Sequence, residues 1–358
     1  MLDNILLKET KDIYGTTLHE LWVDNGTIKF SLILERGMEI GQVFLKDTCM
    51  SWKRDESFKL HPQNVDLKVE GWEKGFYSAV AVLGPEVFGT PDKNVTVHGT
   101  GSYSIAKENS LKIRHCGSIT EIEANVPIQG YSNKQIHQKK VLIQTKLNSN
   151  FIIRREVSVN LSDEKVPLDD GYHVQFAGEY LSQGGRYILP VATDKMLLRD
   201  SAPIEDDPKT IYPFIEVLEP IRCYQYVPEK VYGLDKPDET GWIDFIQNNP
   251  DNLTAEMLVN NERSKGAIII RPLDCFPRTL IAKRNEGCAM YAIEPCKTRP
   301  NSLRQKAIDG ELQYLSPKEE RESFIAFGFF DDEASIKYYE KRIESAANYE
   351  KELVQVLF

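Results

Sequence analysis

The chain has 358 residues, 41% of them apolar and 27% charged, with 54 acidic against 44 basic side chains and a net charge of −10. That composition supports a large buried core and excludes a disordered chain. The acidic balance disfavours nucleic acid or an anionic membrane surface as a partner. The opening residues MLDNILLKETKDIYG show no basic n-region and no long apolar core, and no stretch approaches the ~20 apolar residues of a membrane helix. Six cysteines are scattered without a CxxC pair, as expected of reduced thiols in a cytoplasmic protein rather than a disulfide framework or a zinc site.

In chain order the sequence reads as strands. Residues 27–34, TIKFSLIL, alternate with Ile28, Phe30, Leu32 and Leu34 on one face. Shorter alternating runs follow at VTVHG (95–99), LKIRH (111–115) and VLIQTKL (141–147). In FIIRREVSVNL (151–161), Phe151, Ile153, Val157, Val159 and Leu161 share a face, with Arg154, Glu156 and Ser158 opposite. GAIIIR (266–271) and ESFIAFGFF (322–330) complete the set, and turn signals such as DNG (24–26), NSN (148–150) and NNPDN (248–252) separate the runs. Alternation implies one wetted face per strand, hence antiparallel pairing. One helix is predicted over about 331–357, capped by Asp331 or Asp332, with Ile336, Tyr339, Ile343, Ala346, Tyr349 and Leu353 at helical spacing. The expected class is all-β: two large packed antiparallel sheets and a C-terminal α-helix, as one domain over 1–358. The acidic, proline-bearing segment 200–210 reads as a surface excursion.

No glycine-rich phosphate loop, GxSxG elbow or HExxH pair is present. What remains is a set of polar residues in or beside strands. Glu294, in YAIEPCKTRP, would share a face with Cys288, Met290 and Ala292. A carboxylate bordered by apolar neighbours is a better base near neutral pH, although a charge also closes many ordinary surface strands. His98 is flanked by Gly99 and Gly101, which would let a ligand approach. His173 and Gln175 share one strand face, opposite Tyr172 and Val174. Either histidine could equally be structural. Arg36, Lys283 and Trp72 add donors and an aromatic surface of the kind that holds a sugar ring. His19, His61, His115 and His137 read as structural.

Taken together, ERGMEIG, GWEKGF, VTVHGTGS, GYHVQFAGEYLSQGGRYILP, FPRTLIAK, YAIEPCKTRP and GELQYLSPKEERESFIAFGFF occur in an order that resembles the galactose mutarotase (aldose 1-epimerase) superfamily over about residues 30 to 330. The closest likeness is to its poorly characterised branch carried as a domain of unknown function. The resemblance implies a large β-supersandwich with a sugar cleft on one sheet and no cofactor. It implies Glu294 as catalytic base, His173 as acid and His98 as a substrate-binding histidine. Arg36 and Lys283 fall at basic positions of that branch, and Trp72 and Gln175 are expected in the same sugar site. The partner would be a small-molecule sugar, with the chain a monomer or homodimer. The family's hydroxyl-binding aspartate has no recognisable counterpart, since Asp235, Asp238 and Asp244 match no motif.

Other readings stay open from the sequence. The fold could hold a sugar without chemistry, or act as an isomerase, epimerase or lyase on a modified sugar. Two histidines and a glutamate could bind zinc, though without HxH or HxxxH spacing. A phosphosugar would need a local basic group, for which Arg36, Lys283, Arg278 and Arg299 are candidates.

Overall fold

The computed structural model describes residues 4–67, 71–90, 96–128, 130, 136–178, 180–181, 184–199, 207–211, 221–284 and 289–356, with side chains as far as 348. Two antiparallel sheets dominate it. Among the described residues the larger has eleven strands and the smaller eight, and a two-stranded pair of Val166–Leu168 with Gln313–Leu315 stands apart. The centre of the larger sheet runs, strand by strand, Val80–Leu83, Gly171–Gln175, Met290–Cys296, Arg278–Arg284 and Arg222–Tyr226. The smaller is built around Phe151–Asn160 and Glu320–Phe330. The mostly antiparallel β class expected from alternation is the class observed.

The two sheets pack face to face over one large core. Ile28, Phe30 and Leu32 enter it from one side of the larger sheet, and Tyr172, Val174, Ile281, Tyr291 and Ile293 from its middle strands. Ile152, Ile325, Phe327 and Phe329 meet them from the smaller sheet. Each such side chain contributes about 1.5–3 kcal/mol when fully buried. The outer face of the smaller sheet is covered in turn: Phe151, Ile153, Ile268 and Ile270 pack with Ile336, Tyr339 and Ile343 of the helix Glu333–Val356. Asp332 caps that helix through Oδ1, which accepts from the Ser335 amide at 2.7 Å. Tyr349 and Leu353 of the predicted stripe lie outside the described side chains.

Two local expectations are corrected. The polar face of 151–161 is not wetted. Arg154 and Glu156 point between the sheets and are fully buried. Glu156 pairs with both Arg154 and Lys139, and Asp170 links Lys139 (3.2 Å) to Lys297 (3.4 Å). Alternation recorded a change of chemistry between the two faces, and a mutually paired charge set satisfies burial as water would. The second correction concerns VTVHG: Val97 and His98 lie in a turn, and Val95 is outside the described residues. Gly99 explains the departure. Its φ is +78°, and a Cβ there would meet Val87 O at 2.5 Å and Gly84 Cα at 2.8 Å. The Gly84 amide donates to the His98 carbonyl at 2.9 Å, which fixes the turn over the end of strand Val80–Leu83.

Candidate active site

Because side chains alternate along a strand, the larger sheet has an inner face in the core and an outer face carrying Leu280, Ala282, Arg284, Met290 and Glu294. A cleft of about 610 Å³ opens on that outer face. Trp52, Trp72 and Phe76 wall one side, Arg199, Cys223 and Gln225 the other. His98, His173 and Glu294 lie within it and are nearly buried, at 7%, 5% and 9% exposure.

The register builds the centre. Strand Gly171–Gln175 pairs with Met290–Cys296 so that Gly171 opposes Cys296 and Val174 opposes Ile293. His173 and Glu294 therefore sit side by side on adjacent strands, with Nε2 to Oε1 at 3.4 Å. Gln175, two residues on and on the same face, fixes the imidazole. Its Nε2 donates to the Ser78 carbonyl at 2.9 Å, so its Oε1 accepts from His173 Nδ1, also at 2.9 Å. That leaves Nε2 as the atom turned toward the carboxylate. Phe76 packs edge-on to His173, the ring centroids 4.9 Å apart.

His98 stands beside this pair, 5.2 Å from His173 ring to ring, and is enclosed by Trp72 (4.4 Å) and Phe76 (4.9 Å). Burial, with the His173 and Arg36 charges adding to it, holds the His98 imidazole well below its ordinary pKa, so it is neutral at pH 7. The aromatic wall is held from behind. Arg54 Nη1 donates to the carbonyls of Glu73 (2.8 Å) and Phe76 (3.0 Å), and Tyr103 Oη donates to the Trp72 carbonyl (2.9 Å). At the far rim, Lys306 Nζ bonds the Phe88 carbonyl and the Asp169 carboxylate from a fully buried position.

Glu294, His173, His98 and Trp72 of the expected site thus meet in one cleft, with Gln175 directly behind His173. Arg36 and Lys283 do not line it. Arg36 is fully buried, its Nε on Glu39 Oε2 at 3.0 Å and its guanidinium against Tyr77 and Tyr103. Its field reaches the cleft at His98. Lys283 lies one residue from Arg284 and so on the inner face of the same strand. Its ammonium donates to the carbonyls of Asp207 (2.5 Å) and Thr210 (2.7 Å) near the rings of Tyr187 and Tyr224. Both carbonyls belong to 207–210, the described part of the 200–210 segment; 200–206 lie outside the described residues. Arg278 and Arg299 both engage Glu311. Asp235, Asp238 and Asp244 are absent from the described cleft wall. Trp52, Phe76, Gln225, Arg199 and Arg284 were not foreseen. The last follows from Leu280 and Ala282 by strand parity once the outer face is known.

Among the described residues no group of three histidine, cysteine, aspartate or glutamate side chains is arranged to hold a metal ion. None of the described helices is long and apolar enough to cross a membrane. The five described cysteines are free thiols.

Comparison with known proteins places this architecture. The model of DUF4432, a domain of unknown function, matches residues 15–328. No curated protein matches the chain. Among solved structures, an aldose 1-epimerase candidate from Klebsiella pneumoniae superposes with a TM-score of 0.75 at 16% identity, covering 93% of this chain and 84% of its own. A galactose mutarotase-like protein from Clostridium acetobutylicum gives 0.59 at 14% identity, covering 92% and 99%. A galactose 1-epimerase from Lactobacillus acidophilus NCFM gives 0.53 at 10% identity, covering 91% and 98%. At these identities the likeness is one of fold. The chain belongs to the DUF4432 family and has the galactose mutarotase-like β-sandwich fold.

Proposed function

We propose that the protein is an aldose 1-epimerase: it interconverts the anomers of a sugar by acid–base catalysis, with Glu294 as base and His173 as acid. The observation that carries this reading is the in-register His173–Glu294 pair, 3.4 Å apart at the floor of an aromatic-walled cleft.

The chemistry suits the spacing. Mutarotation moves protons on two oxygens bonded to the same carbon, the anomeric hydroxyl and the ring oxygen. A base and an acid on neighbouring strands reach both at once, and need not stand on opposite sides of the ring. Glu294 takes the hydroxyl proton and His173 Nε2–H protonates the ring oxygen as its bond to the anomeric carbon breaks. The open aldehyde turns about the adjacent carbon–carbon bond. Reclosure returns both protons and delivers the other anomer. Each acid–base contact supplies ~10²–10⁴-fold in rate. Neutral His98 offers one hydrogen bond to the sugar, and Trp72 with Phe76 covers its apolar face.

Saturation-transfer NMR on a panel of aldoses, ketoses and sugar acids tests this, with E294Q as control. Anomer exchange that depends on Glu294 supports the reading. Binding without exchange turns it into a sugar-binding module. Solvent deuterium entering a carbon position turns it into C–H chemistry.

A further inference from the structure

The cleft is basic at one end although the chain as a whole is acidic. Both cations there stand on the outer face, on the same side of Glu294. Arg284 opposes Met290, four residues along from Glu294, so its Cα lies about 14 Å from that of Glu294 at normal strand spacings. The Arg199 amide donates to the Cys223 carbonyl, which places Arg199 three strands across and two residues along, at about 16 Å. The same spacings put Arg199 and Arg284 about 12 Å apart, Cα to Cα, a gap that two extended arginine side chains close from either side. Between them the floor is Ala282 and Cys223, small residues that leave the space open.

The wall offers few acceptors for a neutral sugar. Hydroxyl groups read as donors need carboxylates or carbonyls; Glu294 is the one carboxylate among the described lining residues, and Gln225 and Asn301 add the side-chain amide carbonyls. The remaining charged groups are donors. Glu73 does not cancel them: it is shared between Arg284 (3.0 Å) and Arg54 (3.1 Å), so that triad keeps a net positive charge. Arg199 has no side-chain partner among the described residues. Arg278 and Arg299, the other nearby arginines, share Glu311 and border a smaller hollow beyond Gln225 and Leu280.

We propose that Arg199 and Arg284 hold an anionic group, so that the substrate is a sugar carrying a phosphate or carboxylate at the end remote from its anomeric carbon. This rests on the reading of the cleft as a sugar site and names its substrate class. Planar guanidinium groups match both anions bidentately, and because both arginines stand along the sheet from the His173–Glu294 pair, their long side chains reaching back from those positions would meet the far substituent of a sugar whose anomeric carbon lies at the pair.

Calorimetric titration separates this from the catalytic proposal if the probes cannot open. 1,5-Anhydroglucitol, its 6-phosphate and the corresponding 6-carboxylate lack an anomeric hydroxyl, so their binding is independent of turnover. The 6-phosphate or the 6-carboxylate is expected to bind at least ~10-fold more tightly than the neutral compound, and whichever does so identifies the anion. R199Q and R284Q should each weaken that binding by about 10–100-fold, far more than they weaken binding of the neutral compound, and R284K should restore part of it. Rising salt should weaken it too. Neutral and anionic probes binding alike, or no response to R199Q, overturns the proposal. R199Q carries the test if R284Q disturbs Glu73. Tight anionic binding together with no anomer exchange on any sugar would sink the epimerase reading and leave the anion site standing.

Discussion

His173 and Glu294 are direct neighbours across two antiparallel strands, and their side chains meet at 3.4 Å on the cleft side of the sheet. With Nδ1 committed to Gln175, Nε2 faces Oε1 across that gap, where the proposed mechanism needs an acid and a base to act in concert. Replacing either partner removes one half of the transfer. E294Q and H173N are each expected to lower kcat for anomer exchange by about 10²–10⁴-fold with little change in melting temperature. Because the two groups act as a unit, the double variant should lose little more than the worse single one. Exchange rates from NMR, measured with circular dichroism on the same samples, check this; full activity in both single variants would refute the assignment.

In the proposed chemistry Gln175 is a positioning residue. It receives the His173 Nδ1 proton only because its own amide is committed to the Ser78 carbonyl. Q175M keeps the volume and removes both contacts. We expect kcat to fall by about 10–100-fold and the pH–rate profile to shift, with KM changed less than kcat. A merely structural role would lower the melting temperature and leave the shape of the pH profile alone.

Strand parity explains what was legible in the sequence and what was not. The opposition of Tyr172 and Val174 to His173 and Gln175 can be read directly, and the structure buries the first pair in the sandwich and puts the second on the outer face, His173 in the cleft and Gln175 behind it. Parity alone cannot say which face of a strand is the cleft face. In FPRTLIAKR the two basic residues Lys283 and Arg284 are adjacent, so choosing Lys283 meant choosing the inner face. In FIIRREVSVNL the charged face looked wetted, yet it lies between the sheets because Lys139, from another strand, completes its charge balance. His98 reads as a strand residue by alternation, but the positive φ of Gly99 and its close approach to Gly84 turn the chain there. These features depend on partners far away in sequence, which a local pattern does not contain.

That buried charge set makes a prediction of its own. Glu156 is fully enclosed. Burial alone would raise its pKa, but Lys139 and Arg154 together outweigh burial and hold it below the usual carboxylate range. E156Q leaves the buried Arg154 with a neutral amide and backbone carbonyls as its partners, and Lys139 with Asp170 as its remaining carboxylate. A loss of roughly 3–5 kcal/mol is expected, read from urea denaturation. Since Lys139 also holds Asp170, next to the strand that carries His173, the surviving folded fraction should show reduced exchange activity as well.

The buried histidines set the acid limb of stability. His137 is 1% exposed, and burial, helped by the nearby Lys139 charge, lowers its pKa to about 4. His98 is lowered in the same direction, first by burial. Between about pH 6.5 and 4 the unfolded chain binds protons that the folded imidazoles refuse. Unfolding then takes up protons, so the contribution of these groups is complete above about pH 6.5 and is lost as the pH falls through that window. For His137 alone the loss amounts to about 3 kcal/mol at pH 4. H137Q removes the titrating group without adding a charge. Its stability, measured by denaturant unfolding from pH 7 to 4, should fall less steeply than that of the parent chain. Parallel slopes would mean that His137 takes up its proton equally well in the folded protein.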